Sequence, residues 1–337
     1  MRRPQLLHAL VAFIVYTSAM DSSTHTPQVS EKTSRHILAY MGVWFAVIAW
    51  GASFVAARVL LNAGGRDQIS LSPTVLAALR FSIASLFFVV PLSMAIVRRQ
   101  LSVRQLVQMF FLGQIAFSLY FWLQYTGVQK TNASISSILV VGLIPVVTAF
   151  LSQFMGKEHL SLIKFGALLL GFLGVGIIVL EQHTQLTQGS DFLFGSLCLV
   201  GNAFAFAIYS NLSKRWMQDI SPLIMTGGTM LSGAIGLLLL SLTDPIHNRW
   251  GAIIRLDAIQ WVALLFLSLG CSVIAYFVYN FALTKISASR AAVYIYFEPV
   301  VAVVLGVTLL GERLSWQTLC GVVVIGVSVA IVIRLKK

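Results

Sequence analysis

Ten apolar stretches, each about twenty residues or longer, follow one another along the chain with only short polar connections between them. They cover residues 37–61, 72–97, 105–126, 133–155, 161–180, 192–213, 221–243, 258–281, 288–310 and 315–334. A bilayer core about 30 Å thick takes roughly 20 helical residues to cross. Inside lipid every backbone N–H and C=O must be bonded within the protein, which a helix achieves segment by segment. The pattern therefore predicts an all-α integral membrane protein of ten transmembrane helices, with no connection long enough to form a soluble domain. Of the 337 residues, 58% are hydrophobic and 10% charged, where a soluble domain carries about 25% charged residues. Such a chain cannot cover itself with polar surface, which excludes most soluble enzymes. Cys198, Cys271 and Cys320 lie within apolar stretches rather than in loops, so neither a disulfide framework nor a metal cluster is implied. No cofactor is expected.

The formal net charge of +12 would suggest a nucleic-acid partner for a soluble protein. In a membrane protein the same excess holds loops on the cytoplasmic side, and no nucleic-acid partner is expected. With the N-terminus inside, 16 of the 23 Lys and Arg residues fall in cytoplasmic segments, five fall outside, and Arg58 and Arg80 fall within spans. This asymmetry predicts a multi-pass protein of the cell membrane with both termini cytoplasmic. Residues 1–36 form a separate extension. Met1-Arg2-Arg3 followed by the mostly apolar segment 6–19 resembles a signal peptide. Cleavage there would invert every loop, against the basic count. A true start at Met20 and an interfacial or additional hydrophobic segment are the other readings. Asp21 to Thr33 is polar and reads as disordered.

Self-comparison divides the remainder in two. Glu158-His159-Leu160-Ser161 recurs 154 residues later as Glu312-Arg313-Leu314-Ser315, and Pro145-Val146-Val147 recurs at the same separation as Pro299-Val300-Val301. Lys130 matches Lys285, Ala133-Ser134 matches Ala288-Ser289, and Gly166 and Gly171 match Gly321 and Gly326, all at 155. Each unit, 37–181 and 191–334, then holds five spans. Because five is odd, the second unit starts on the opposite side, so the two are inverted repeats, a common device of secondary transporters.

The residues also carry a resemblance. Trp50-Gly51-Ala52-Ser53-Phe54, Leu76-Ala77-Ala78-Leu79-Arg80-Phe81, Phe297-Glu298-Pro299-Val300 and the two Glu-x-Leu-Ser segments are similar, in order and spacing, to the EamA-type branch of the drug/metabolite transporter superfamily. The similarity covers about residues 38–334. It implies a ten-helix carrier for small metabolites, often an exporter of amino acids or related compounds. The extension before Met20 is not part of that pattern.

Several residues are candidates for the work of a carrier. Pro145 and Pro299 fall within the fourth and ninth spans, where a proline removes one helical hydrogen bond and kinks the helix. Glu298 and Arg80 each lie about nine residues into their spans, roughly 13.5 Å deep. A charge at that depth costs about 3 kcal/mol or more unless paired or neutralised, which points to function. The depths allow the two to pair, either as a buried tie between halves or with Glu298 exchanging a proton to couple flux to a proton gradient. Polar and aromatic residues recur at helical spacing: Trp50, Ser53 and Phe54 in the first span, Gln114, Ser118, Tyr120, Gln124 and Tyr125 in the third, and Asn202, Phe206 and Tyr209 in the sixth. The eighth span adds Ser268, Ser272, Tyr276, Tyr279 and Asn280, and the ninth adds Tyr294. Polar groups facing lipid are unfavourable, so these stripes face inward, toward helix contacts or a pocket. The predicted substrate-binding set is Trp50, Ser53, Phe54, Tyr120, Gln124, Asn202, Tyr276, Tyr279, Asn280 and Tyr294. Its aromatic walls with a few polar groups suit an amphipathic organic solute.

Other residues read as structural. Arg58 is near a span end and can snorkel to the interface. Glu158 and Glu312 precede Ser161 and Ser315, which look like N-caps, so the two acids read as loop-ordering groups. Gly166, Gly171, Gly174, Gly321 and Gly326 allow close packing. The predicted function is a secondary transporter of small organic metabolites working by alternating access. The alternatives are an intramembrane enzyme and a channel or scaffold. Against an enzyme, all six histidines lie outside the spans, and the chain has no H-E-x-x-H, G-x-S-x-G or P-loop motif.

Overall fold

A computed structural model of the chain describes residues 28–61, 70–154, 162–185, 189–216, 220–243, 247–283, 294–295 and 297–334. Among these residues every regular element is helical. In chain order they are α1 (Gln28–Leu61), α2 (Pro73–Val97), α3 (Val103–Lys130), α4 (Ala133–Phe154), α5 (Leu162–Gln185), α6 (Gly189–Trp216) and α7 (Pro222–Thr243). A 3-10 segment (His247–Arg255) leads to α8, built from Ala258–Leu265, Phe266–Ile274 and Ala275–Leu283, and then come α9 (Glu298–Leu310) and α10 (Trp316–Arg334). Six of the helices are long and apolar enough to cross a membrane: Ile37–Leu61, Pro73–Val97, Val103–Lys130, Ser190–Leu212, Leu223–Thr243 and Ala258–Tyr279. Four shorter apolar segments accompany them: Ala133–Ile144, Phe165–Gly174, Glu298–Leu310 and Trp316–Ser328.

The helices start where local chemistry satisfies their free N–H groups. Ser72 accepts from the Val75 amide, and Pro73 occupies the first turn of α2, where its missing N–H costs no bond. α3 opens with a capping box of Ser102 and Gln105, and α8 with one of Asp257 and Gln260, 155 residues further on. Both helices then widen into π-helical turns, Gln114–Leu119 in α3 and Phe266–Ile274 in α8. Such turns are rare and concentrate at functional sites.

One expectation about a helix start is corrected. α1 begins at Gln28, within the stretch expected to be disordered. No proline lies between Gln28 and Leu61 to interrupt it. The ninth helix was expected from 288; residues 284–293 and 296 lie outside the described residues, Tyr294 and Ile295 are helical, and a continuous helix, α9, runs over Glu298–Leu310. Phe297 N–H donates to the Tyr294 carbonyl at 2.9 Å, and Pro299 stands in the first turn of α9. In that position its missing N–H costs α9 no hydrogen bond. Pro145 lies inside α4, and its side chain falls outside the described residues.

The packing joins early helices to late ones. α2 packs on α7 and on the π turns of α8, α3 on α6 and α7, α4 on α6 and α9, and α5 on α10. Gln114 Nε2 donates to the Ser232 carbonyl at 2.7 Å and Ser118 Oγ to the Gly233 carbonyl at 2.9 Å, so this polar pair of the third span fastens α3 to α7. Of the glycines read as packing sites, Gly174 lies against Ile325 and the Gly321 carbonyl of α10, whereas a methyl at Gly166 or Gly326 would meet open space. The closest approach that bears on the candidate site is at Gly51. A Cβ there would stand 2.7 Å from both the Glu298 carbonyl oxygen and Val301 Cβ. Only a residue without a side chain lets α1 lie so close to the start of α9.

Candidate functional site

Arg80 is 2% exposed, in the middle of α2. Its Nε donates to Ser272 Oγ at 2.8 Å and Nη1 to the Tyr125 hydroxyl at 2.7 Å. The guanidinium carbon lies 5.0 Å from the Phe81 ring centroid and 4.8 Å from that of Phe121. All of these partners are neutral, so the hydrogen bonds and ring faces solvate the cation without cancelling its charge. The Ser272 hydroxyl in turn donates five residues back, to the Leu267 carbonyl at 3.0 Å, and so lies along the π turn of α8.

Those π turns also position the aromatic wall. Ala275 N–H bonds to the Gly270 carbonyl, five residues back. Trp50 Nε1 of α1 donates to the Cys271 carbonyl within the same π turns at 3.0 Å. The indole, held by this bond, meets Tyr276 and Tyr279 edge to face at centroid distances of 5.2 and 5.0 Å. Cys271 Sγ closes the same contact from the other side, 3.2 Å from the Ala49 carbonyl.

Glu298 is 7% exposed at the first position of α9, under Gly51. Tyr120, Tyr276, Tyr279 and Cys271 are all within electrostatic reach of its carboxyl. Arg80 likewise acts on Tyr120 and Tyr276. Among the described residues no hydrogen bond or ion pair joins Glu298 to Arg80. The expected pair is therefore not formed, because Ser272 and Tyr125 hold the guanidinium fork instead. Among the described residues an ion pair does form elsewhere, Lys130 to Asp191 at 2.5 Å, with both side chains partly in solvent.

Two further predicted residues present buried, unused acceptors. Asn202 Nδ2 donates to the Tyr120 carbonyl at 2.7 Å, while Asn202 Oδ1 has no partner among the described residues. Gln124 Oε1 is buried and unpartnered in the same way. Native proteins leave few such atoms, and those that persist call for an explanation. Tyr120 adds a ring next to Phe121 and Phe206.

The remaining candidates fall elsewhere. Ser53 turns its hydroxyl back onto the Trp50 carbonyl at 2.6 Å, and Phe54 is 3% exposed in the main hydrophobic core. Tyr294 packs on Tyr40 and Trp44, with Phe297 also against Trp44, in a second aromatic group that among the described residues meets the Trp50 rings only through the core cluster bordered by Tyr279. The Asn280 side chain lies outside the described residues. Arg58 does not snorkel freely: its Nη1 donates to the Val128 and Gln129 carbonyls at 2.6 and 2.9 Å, capping the end of α3. Glu312 orders no helix start of its own. It accepts from the amides of Ala133 and Ser134 at the start of α4, while Ser315 Oγ caps α10 through the Thr318 amide. Sequence reasoning missed Cys271, Phe121 and Gly51 as parts of the site, and placed Ser272 on an inward-facing stripe without assigning it to the binding set. The fixed separation of the repeats was the available signal, since it aligns the π segment of α3 with that of α8.

Comparison with known proteins agrees with this architecture. The model of the EamA-like transporter family matches residues 37–180 and 193–334. An uncharacterized transporter of Archaeoglobus fulgidus is 27% identical over 288 residues, covering 86% of this chain and 96% of its own. The uncharacterized transporter YyaM of Bacillus subtilis is 25% identical over 275 residues, covering 80% and 86%. A WAT1-related chloroplastic protein of Arabidopsis thaliana is 29% identical over 214 residues, covering 61% of this chain and 49% of its own. One solved crystal structure shares the fold at a TM-score of 0.56 and 18% identity, covering 90% of this chain and 98% of the other. The family and the first two of these relatives carry the name of transporters. With its long apolar helices, the chain is a multi-pass integral membrane protein and belongs to the EamA-like transporter family.

Proposed function

We propose that the protein is a secondary transporter, working as an exporter in the cell membrane, for small metabolites that carry both an ammonium and a carboxylate, such as amino acids. The observation that carries this reading is a buried carboxyl and a buried guanidinium that do not meet. Glu298 has no ion-pair partner among the described residues, and Arg80 has only neutral ones. Buried charges without counter-ions are expensive. A zwitterion placed between them would relieve both at once, its ammonium toward Glu298 and its carboxylate toward Arg80. The unused oxygens of Asn202 and Gln124 would accept from the same ammonium or from other donors of the solute. The rings of Trp50, Tyr120, Tyr276 and Tyr279 would cover its apolar part.

Access alternates between the two sides by rocking of two inverted five-helix units, in a topology with both termini inside. Capping boxes and π turns at matched places in α3 and α8 support this organisation. So does the pairing of helices, in which α3 meets α7 as α2 meets α8. The π turns give α3 and α8 a place to change length beside the site. Proton exchange at Glu298 couples export to the proton gradient.

The test is reconstitution of the purified chain into liposomes, with counterflow of labelled amino acids against a panel of unlabelled solutes, with and without a pH gradient. Saturable counterflow restricted to solutes bearing both charges is expected. Non-saturable flux would identify a channel, and no flux with any solute would identify a scaffold. A rate independent of pH, or full activity in Glu298→Gln, would remove the proton-coupled mechanism.

A further inference from the structure

The corner between α3 and α4, Thr131–Asn132, is held from three directions. The last carbonyls of α3, Val128 and Gln129, accept from Arg58 of α1. The third amide of α4, Ile135 N–H, is taken by Asn132 Oδ1 at 2.7 Å. The first two are taken by a residue nearly 180 positions away. Glu312 Oε1 accepts from Ala133 N–H at 2.8 Å, and Oε2 accepts from Ser134 N–H at 3.0 Å and from Ser134 Oγ at 2.5 Å. An anion at a helix start and a cation at a helix end both oppose the local end of the helix dipole, so each charge stands where it is most favourable. Arg58 and Glu312 are also close enough to attract one another.

Glu312 reaches this corner because the chain turns sharply after α9. Gly311 adopts φ of 65°, and Glu312 N–H folds back onto the Gly306 carbonyl at 3.1 Å. Gly306 leaves the carboxylate its place: a Cβ there would stand 2.5 Å from Glu312 Oε2 and 2.7 Å from Ser134 Oγ. The contact thus ties the α9–α10 turn to the start of α4, and α4 and α9 pack together directly beneath it. Ser134 is fully buried. When the carboxylate leaves, two amides lose their acceptor, and water can replace it only by entering between α4 and α9. The end is then either closed and dry or open and wet, with little stability in between.

We propose that Glu312 is the latch of one end of the transport pathway, with Arg58 positioning the corner it grips, and that the latch releases in each cycle so that α4 and α9 part above Glu298. The proposal rests on the transporter reading for its purpose but on this contact alone for its geometry. Losing a charge-assisted cap of this kind should move the balance of closed and open states about tenfold or more toward open.

The test places a thiol under the latch. Ala302 is fully buried on α9, one turn from Glu298 and one turn from Gly306. Ala302→Cys is labelled in proteoliposomes with a membrane-impermeant maleimide supplied on the Glu312 face, and the modified peptides are counted by mass spectrometry. The buried native Cys198 of α6 serves as the internal reference. In Glu312→Gln, and independently in Gly306→Ala, the rate at position 302 should rise about tenfold while Cys198 stays protected. Glu312→Asp, which keeps the charge, should restore part of the protection. If Glu312→Gln does not fold, Ser134→Ala removes one of the three bonds and should give a smaller rise. An unchanged rate at 302 overturns the latch, and so does an equal rise at 302 and 198, which would mean general loosening. Counterflow by the parent chain in the same vesicles separates the two ideas. Counterflow without a selective rise refutes the latch alone, whereas a selective rise without counterflow upholds the latch and refutes transport.

Discussion

Gly51→Ala tests the closest helix contact at the candidate site. The added methyl carbon would lie 2.7 Å from the Glu298 carbonyl oxygen and 2.7 Å from Val301 Cβ, where ordinary contacts begin at 3.4 Å. Neither neighbour can swing away, since one is backbone and the other is fixed to it. α1 and α9 must therefore separate by about 0.7 Å, and inserting one methylene-sized group into a packed interior costs about 1–3 kcal/mol. The shift acts beside Trp50, whose 3.0 Å bond to Cys271 and two edge-to-face ring contacts fix the wall opposite Glu298. Misplacement approaching 1 Å in a binding or reacting constellation can lower turnover about 10²-fold. The measurements are thermal melting in detergent and counterflow turnover in liposomes, each against Gly166→Ala. At Gly166 a methyl meets nothing within 4 Å, and a glycine-to-alanine change in an open helical position should not destabilise. Gly51→Ala should lower both the melting temperature and the turnover, and Gly166→Ala neither. If Gly51→Ala melts and exchanges like the parent chain, α1 does not lie on the start of α9, and the assembly of Trp50 with Glu298 fails with it.

The two charges should separate by substrate. Glu298→Gln keeps the shape and removes the anion; losing a charged hydrogen bond worth about 1.5–3 kcal/mol should raise the half-saturating concentration of a zwitterion roughly 10- to 150-fold. The same change should leave the competition constant of a carboxylate lacking the ammonium nearly unaltered. Arg80→Met should do the converse, weakening carboxylate-bearing solutes while sparing simple amines. Because it removes a buried cation that no anion offsets, its melting temperature should change little. A large fall in melting with unchanged solute competition would make Arg80 a structural residue only. Trp50→Phe retains a ring but removes the indole hydrogen bond to the Cys271 carbonyl, a loss of about 0.5–1.5 kcal/mol that should appear in the melting curve.

The helices were legible because a membrane span is written in composition: each run of apolar residues has a described helix within it. Their interruptions were not, because they depend on which bonds the backbone makes. The π turns in α3 and α8 leave the apolar character of Gln114–Leu119 and Phe266–Ile274 little different from the flanking helix. Nothing in those residues alone announces a bonding shift from four residues to five. Pro299 is as compatible with a kink as with a first turn, and the residues that distinguish the two lie upstream. Glu298 stood out in the sequence as an acid within an apolar run, and the structure buries it at 7% exposure. Its relation to Arg80 was not legible, because depth is one coordinate and pairing needs three. Arg80 finds its partners 45 and 192 positions away, on α3 and α8. The same holds at the α3–α4 corner, where Glu312 looked like the servant of the helix just after it and instead caps one 179 positions earlier. Yet both members of that contact, Glu312 with its Leu-Ser and Ala133-Ser134, were among the short segments that recur at a fixed separation. Repetition marked the residues whose partners are distant, although it could not say what those partners were. A residue type needed only to keep a loop soluble can drift, but a carboxylate that must meet two particular amides cannot.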